Sequence, residues 1–264
     1  MPVILVTNSV ECEVGANEPW PEDVKLFQPF ETEQILLPDN ASCLSVQAFL
    51  RMCNLKYEIV YKKNAENMSP SGRVPFIKCG AFIISELEPL TSFVGNKGIS
   101  LTGDLDNVQK ADMRAYMSLI ITVLANAENY LTWVDRDTYN QVTKVRYGSV
   151  HPWPLNWLLT RQKRHMILKR LNALGWLDKT IEQVYDEVDS CCTALSERLD
   201  DNKYFFGDKP TELDAMVFAH VFTILTTPLP SNQFATTIRC YPKIIEHCQR
   251  IEKEFFSGQN SNKI

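Results

Sequence analysis

The side chains best suited to nucleophilic or metal chemistry in this 264-residue chain are its eight cysteines: Cys12, Cys43, Cys53, Cys79, Cys191, Cys192, Cys240 and Cys248. They form no C-x-x-C pair and have no histidine at zinc-ligand spacing, which argues against a metal site and for reduced thiols. Cys191 and Cys192 are adjacent on a predicted helix, so their side chains diverge and one is expected to face the core as a small hydrophobe. Cys43, with Ser42 beside it, falls near the start of another predicted helix, over residues 42–55. At such a position the helix dipole and free amides lower a thiol's pKa. The competing reading makes Cys43 a small helix-start or core residue, and Asn40, just before it, is no nucleophile. His151, His165, His220 and His247 are too dispersed to propose a histidine-based site, and core or surface positions are expected for them.

The elements that must position these residues divide the chain into two halves of different pattern. From Val24 the order is a strand (VKLFQ), a polar loop, the apolar-periodic segment 42–55 and a strand (YEIVYK from Tyr57). Two short runs at 74–77 and 81–85 follow, joined by a turn containing Gly80, and then a short helix from Glu88 toward Lys97. This βαβ-then-ββα order predicts a thioredoxin-like layout. Pro75 lacks a ladder donor, which predicts a bend or edge at the strand start. Residues 95–107 read as a linker, and everything beyond them as helix. Residues 108–131 carry one apolar stripe through Met113, Tyr116, Met117, Ile120, Ile121 and Leu124. Residues 180–199 carry another and open with Thr180 and Gln183 at capping-box spacing. Residues 213–225 are apolar nearly all round and predict a central helix. At its start Thr211 and Asp214 are the predicted structural cap, a box with Asp in place of Glu.

Composition narrows the function classes. A formal net charge of −5 and a pI near 5.5 argue against a general nucleic-acid binder. No stretch reaches the ~20 apolar residues of a membrane span, and the apolar run at residues 3–6 is too short for a signal-peptide core. A soluble or peripheral protein is the expectation. The predicted organisation is an acidic N-terminal arm (1–23), a thioredoxin-like domain (24–98), a linker (99–107), an all-helical C-terminal domain (108–256) and a polar tail (257–264).

The run VPFIKCGAFIISELEPL, residues 74–90, resembles the glutathione transferases, and so does the Thr-x-x-Asp at Thr211. The resemblance implies a Val-Pro before the third strand and a Glu-Ser that grips the glutamyl end of glutathione. Glu86 is present, but Leu87 stands where that serine would be, and leucine cannot hydrogen-bond a carboxylate or an amine. Longer runs are similar to one family in particular. NAENMSPSGRVPFI from Asn64, RYGSVHPWPLNWLL from Arg146, GWLDKTIEQVYDEVDSCCTALSERL from Gly175, KPTELDAMVFAHVFTILTT from Lys209 and EPWPEDVKLFQPF from Glu18 resemble the metaxins.

That resemblance implies a glutathione-transferase-like fold (α/β plus all-α) in a peripheral protein on the cytosolic face of the mitochondrial outer membrane. With Leu87 and Asn40 at the transferase positions and no ligand spacing among the cysteines, no catalysis, cofactor or metal is expected. It further implies a membrane-anchored partner of the metaxin 1 type, contact with the machinery that sorts and assembles β-barrel proteins, and a link to motor-adaptor proteins. The ending SGQNSNKI matches the anchorless kind of metaxin. Candidate interface residues are Trp153 and Trp157, in a Pro- and Trp-rich cluster, and the cations Arg161, Lys163, Arg164, Lys169 and Arg170. The alternatives are a buried helix entry for the tryptophans and a solvated helix face for the cations. Two other functions compete: a glutathione-dependent transferase, and an autonomous peripheral membrane protein held by its basic helix.

Overall fold

The structure is a computed structural model and describes residues 19–257; most of the expected N-terminal arm, Cys12 and nearly all of the polar tail lie outside the described residues. Four strands, β1 (Lys25–Gln28), β2 (Glu58–Tyr61), β3 (Phe76–Cys79) and β4 (Phe82–Ser85), form one sheet in the order β2-β1-β3-β4. β1 runs parallel to β2, with Lys25 opposite Glu58, and antiparallel to β3, with Phe27 opposite Phe76. β3 and β4 make a hairpin whose turn uses Gly80 at φ +59°, a conformation in which a Cβ would be strained. β1 explains its own placement by alternation, since Leu26 and Gln28 are buried while Lys25 is exposed.

Three helices accompany the sheet: α1 (Leu37–Met52), the single turn α2 (Ala65–Met68) and α3 (Leu87–Asn96). α1 begins five residues earlier than its periodicity predicts. Pro38 sits in its first turn, where a missing N–H costs nothing and φ is already helical.

Helices fill the remainder. α4 (Asn107–Thr122) and α5 (Leu124–Trp133) replace the single helix expected over 108–131. The break falls at Val123, with φ −109° and ψ −69°. It follows a run of β-branched residues, and the Thr122 hydroxyl donates back to the carbonyls of Ser118 and Leu119 at 2.8 and 3.2 Å, a bond that bends helices. α6 (Arg136–Thr138) passes through a π-helical turn at Tyr139–Thr143 into α7 (Lys144–Gly148). α8 (Leu155–Ala173), α9 (Ile181–Leu199), α10 (Glu212–Thr226), α11 (Gln233–Arg239) and α12 (Pro242–Ile251) follow, and α12 runs on into a π-helical turn at Glu252–Phe256.

α10 is buried along almost its whole length, as a helix apolar all round must be, and α1 lies along it. One continuous apolar cluster therefore runs from Leu26 and Ile77 in the sheet through Phe49 of α1 to Phe218 of α10 and Val188 of α9. Cys191 and Cys192 are both buried in it, not one of them as expected, because neighbours pack on two sides of α9. A second tie closes the chain on itself: Arg51 of α1 donates to the Phe255 carbonyl at 2.9 Å and stacks 4.1 Å over the Phe256 ring.

Candidate functional site

The start of α1 faces the first half of α8 across a narrow cleft. The early start of α1 decides what stands there. Asp39 and Asn40 lie in its first turn, while Ser42 and Cys43 come more than a turn later. Ser42 donates its hydroxyl to the Pro38 carbonyl at 3.0 Å. Cys43 is buried in a small apolar cluster with Ile35, Ala65, Val74 and Phe76. Burial, with the nearby Asp39 and Glu31 carboxylates, pushes its thiol well above the ordinary range. An activated nucleophile needs the opposite shift, so of the two readings of Cys43 the small core residue is the one the structure bears out.

Charged groups occupy the cleft instead. Glu66 of α2 pairs with Lys163 of α8 and also accepts from the Tyr147 hydroxyl at 3.3 Å. Asp39 lies close to both, and its carboxyl is pushed up to about 6 by burial, with Lys163 opposing the shift and Glu66 and Glu128 adding to it. Burial also raises the Tyr147 phenol, and the Glu66 carboxylate adds to this. The space left is about 90 Å³, well under the roughly 300 Å³ at which small-molecule pockets begin. Cleft residues Asp39, Glu66 and Tyr147 escaped the sequence reading. The Leu-Leu-Pro-Asp run at residues 36–39 is the signal that would have placed Asp39, through proline's preference for a helix's first turn.

Near the start of β3 the Val74–Pro75 peptide is cis. Glu86 donates its backbone N–H to the Pro75 carbonyl at 3.2 Å, and its side chain pairs with Arg73 at 3.1 Å. Leu87 turns into the core. The position that carries a serine in the glutathione transferases is thus apolar and buried here. Among the described residues no group of three or more His, Cys, Asp or Glu side chains is arranged to hold a metal ion.

The two core histidines each meet a buried carboxylate. His220 of α10 lies 2.6 Å from Glu128 of α5, and His247 of α12 lies 2.8 Å from Asp214. His151 is half-buried and His165 exposed. The cap predicted at Thr211 and Asp214 forms as a capping box. One Asp214 oxygen accepts from both the amide and the hydroxyl of Thr211, each at 2.7 Å.

The interface candidates are brought together only in part. Trp153 is 83% exposed and Trp157 56% exposed, so the buried-entry reading of the Pro- and Trp-rich cluster is corrected. The five cations of α8 do not share a face, which corrects the single solvated face. At about 100° per residue, positions 161 and 164 fall on one side of the helix, 163 and 170 on nearly the opposite side, and 169 between them. Lys163 accordingly enters the cleft, and Arg170 is half-buried, held below its ordinary pKa first by burial and then by Arg73. Arg164 lies over the Tyr139 ring at 3.9 Å and donates to the Trp133 carbonyl at 3.1 Å. Arg161 and Lys169 are exposed.

Comparisons with known proteins carry the family relationship. Residues 43–164 match the family model for an outer mitochondrial membrane transport complex protein. Residues 188–251 match that for the C-terminal domain of glutathione S-transferase. The chain is 48% identical to metaxin-2 of Mus musculus, over 98% of this chain and 99% of the relative. It is 41% identical to a metaxin-2 homolog of Caenorhabditis elegans, over 84% of this chain and 95% of that one. Among solved structures, glutathione transferase F7 from Populus trichocarpa superimposes with a TM-score of 0.54 at 13% identity, covering 87% of this chain and 93% of that one. The fold is therefore glutathione-transferase-like, a small mixed sheet followed by a mostly helical remainder.

Proposed function

The chain belongs to the metaxin family, and from that premise we propose that it works as a non-catalytic subunit in protein import at the mitochondrial outer membrane. The observation that carries this reading is the 48% identity to metaxin-2 over nearly the full length of both chains. The match of residues 43–164 to the transport-complex model supports the same compartment. In this reading the protein sits peripherally on the cytosolic face, contributes to sorting and assembly of β-barrel proteins, and connects mitochondria to motor-adaptor proteins.

The cleft supports a role without catalysis. Where a transferase would present an activated nucleophile, this chain has Asp39, Asn40 and a Lys163–Glu66 pair, and its nearest thiol is buried. The glutathione-dependent transferase reading keeps the fold but loses the polar site.

Attachment is assigned to a membrane-anchored partner of the metaxin 1 type. Among the described residues no helix is long and apolar enough to cross a membrane. Lys and Arg contacts with an anionic surface are worth about 1 kcal/mol each and are screened by salt, and the cations of α8 are divided among different faces. The test is fractionation of mitochondria with and without the anchored partner. Release of this chain to the soluble fraction on partner removal is the expected result. Retention after a high-salt or alkaline wash in the partner's absence would overturn it.

A further inference from the structure

A groove of about 580 Å³ runs between the N-terminal two-thirds of α8 and the segment that carries Tyr139 and α7. Trp153, Trp157 and Tyr139 supply its aromatic surface, and Lys144, Arg161 and Arg164 its charge. No carboxylate lines it, in a chain whose formal net charge is −5. Among the described residues none of these three cations forms a salt bridge. Arg161 lies 5.7 Å from the Trp157 ring centroid, so an aromatic and a cationic group are presented side by side. Tryptophan and arginine are the residues that most often dominate binding energy at protein interfaces, and a concentration of both in one open groove marks an interaction surface.

From these observations we propose that the groove binds a short acidic segment of a partner protein, with an apolar or aromatic side chain against Trp153 and Trp157 and flanking carboxylates on Lys144, Arg161 and Arg164. Charge complementarity selects the sign of the occupant, because an uncompensated cationic groove repels a basic segment and pairs with an acidic one. Shape selects a peptide over a lipid surface. Arg164 is half-buried beneath the rim against Tyr139, where an inserted side chain reaches and a plane of head groups does not. Length sets the size of the segment. From Trp157 to Leu168 the helix rises about 16 Å, which an extended peptide spans in roughly five residues. Capture of such a segment requires only the groove, whichever assembly the chain joins, so its failure would leave the import reading standing.

The experiment uses the purified full chain and a fluorescein-labelled heptapeptide with a central Phe flanked on each side by Glu, against the same peptide with Gln at every Glu position. Fluorescence anisotropy at low salt should give roughly tenfold tighter binding of the acidic peptide, and added salt should erode the difference. Lys144→Glu and Arg161→Glu should each weaken it by roughly fivefold or more, and Trp153→Ala should weaken both peptides. All three residues are exposed, so melting temperatures should stay unchanged. Lys169→Glu, on the same helix but outside the groove, should leave binding as it is. Equal binding of the two peptides, or an equal loss from Lys169→Glu and Arg161→Glu, would overturn the proposal. So would binding to phosphatidylserine vesicles that depends on Lys144 and Arg161 while the acidic peptide fails to bind.

Discussion

Asp214 shows how much one buried carboxylate can organise. It is completely buried, and besides Thr211 it accepts from the Phe205 amide at 3.1 Å and faces His247 at 2.8 Å. A helix cap alone is worth about 0.5 to 2 kcal/mol. A buried carboxyl group with several partners costs more to remove, because each donor is left unpaired, and breaking such a group costs about 3 to 5 kcal/mol. Asp214→Ala should therefore destabilise by roughly 3 kcal/mol or more in urea titration, and Thr211→Val by about 1 kcal/mol. A loss for Asp214→Ala no larger than that for Thr211→Val would show that His247 and Phe205 contribute nothing. Asp39 gives the opposite case, a carboxylate that the fold disfavours. Its pKa is raised from 3.8 to about 6, first by burial. An acid raised in the folded state favours folding below its ordinary range, and that contribution is lost as pH rises through the folded value. Asp39→Asn should accordingly raise Tm near neutral pH, and the gain should shrink as the pH is lowered through about 6 toward 4. A gain that is constant across that range would mean that Asp39 keeps its ordinary pKa.

At the scale of elements, α8 does three jobs with three faces. One face sends Lys163 to Glu66 of α2 and so ties the helices to the sheet side of the molecule, another lines the aromatic groove, and Lys169 points to solvent. The Lys163–Glu66 pair is only 11% and 22% exposed at its side chains, so it is less screened than a surface pair. In a double-mutant cycle, Lys163→Met and Glu66→Gln should each destabilise, with a coupling of about 1 to 2 kcal/mol. Additive losses would mean that the pair is a surface contact without consequence. α1 and α10 form the complementary axis, in which burial and not charge holds the elements. That is why the sheet and the helical remainder share one apolar cluster.

For the whole molecule, the glutathione-transferase-like fold is kept while the space that a small substrate needs is nearly closed. With about 90 Å³ left beside a paired lysine, and with Leu87 in place of a polar contact, glutathione should bind more weakly than about 1 mM by calorimetry. No turnover of a standard electrophile is expected either. Measurable turnover abolished by Cys43→Ala would sink both this expectation and the core role given to Cys43. The larger opening of about 580 Å³ lies on the opposite side of α8 and presents aromatic rings and cations, the chemistry of macromolecular contact.

The order of strands and helices was legible in the chain because its signals are local. Alternation in VKLFQ, the glycine turn of the hairpin, the Thr180 and Thr211 caps and the apolar run of α10 each act within a few residues, and no distant contact opposes them. So were the resemblances carried by long runs of residues. What the chain alone did not settle depends on partners far away in sequence. Apolar periodicity marks the body of α1 but not its first turn, so it gives no place to Asp39 and leaves Cys43 open between a helix-start thiol and a core residue. The split of α4 from α5 turns on crowding around Thr122 and Val123. Above all, a run of cations reads as one basic patch until the helix is docked. Lys163 is 97 residues from Glu66, and only packing of α8 against α2 gives one lysine a carboxylate while leaving Arg161, two positions earlier, beside Trp157 at an open groove. Tertiary structure decides this because a helix turns successive side chains toward different neighbours, and the neighbours are chosen by the fold.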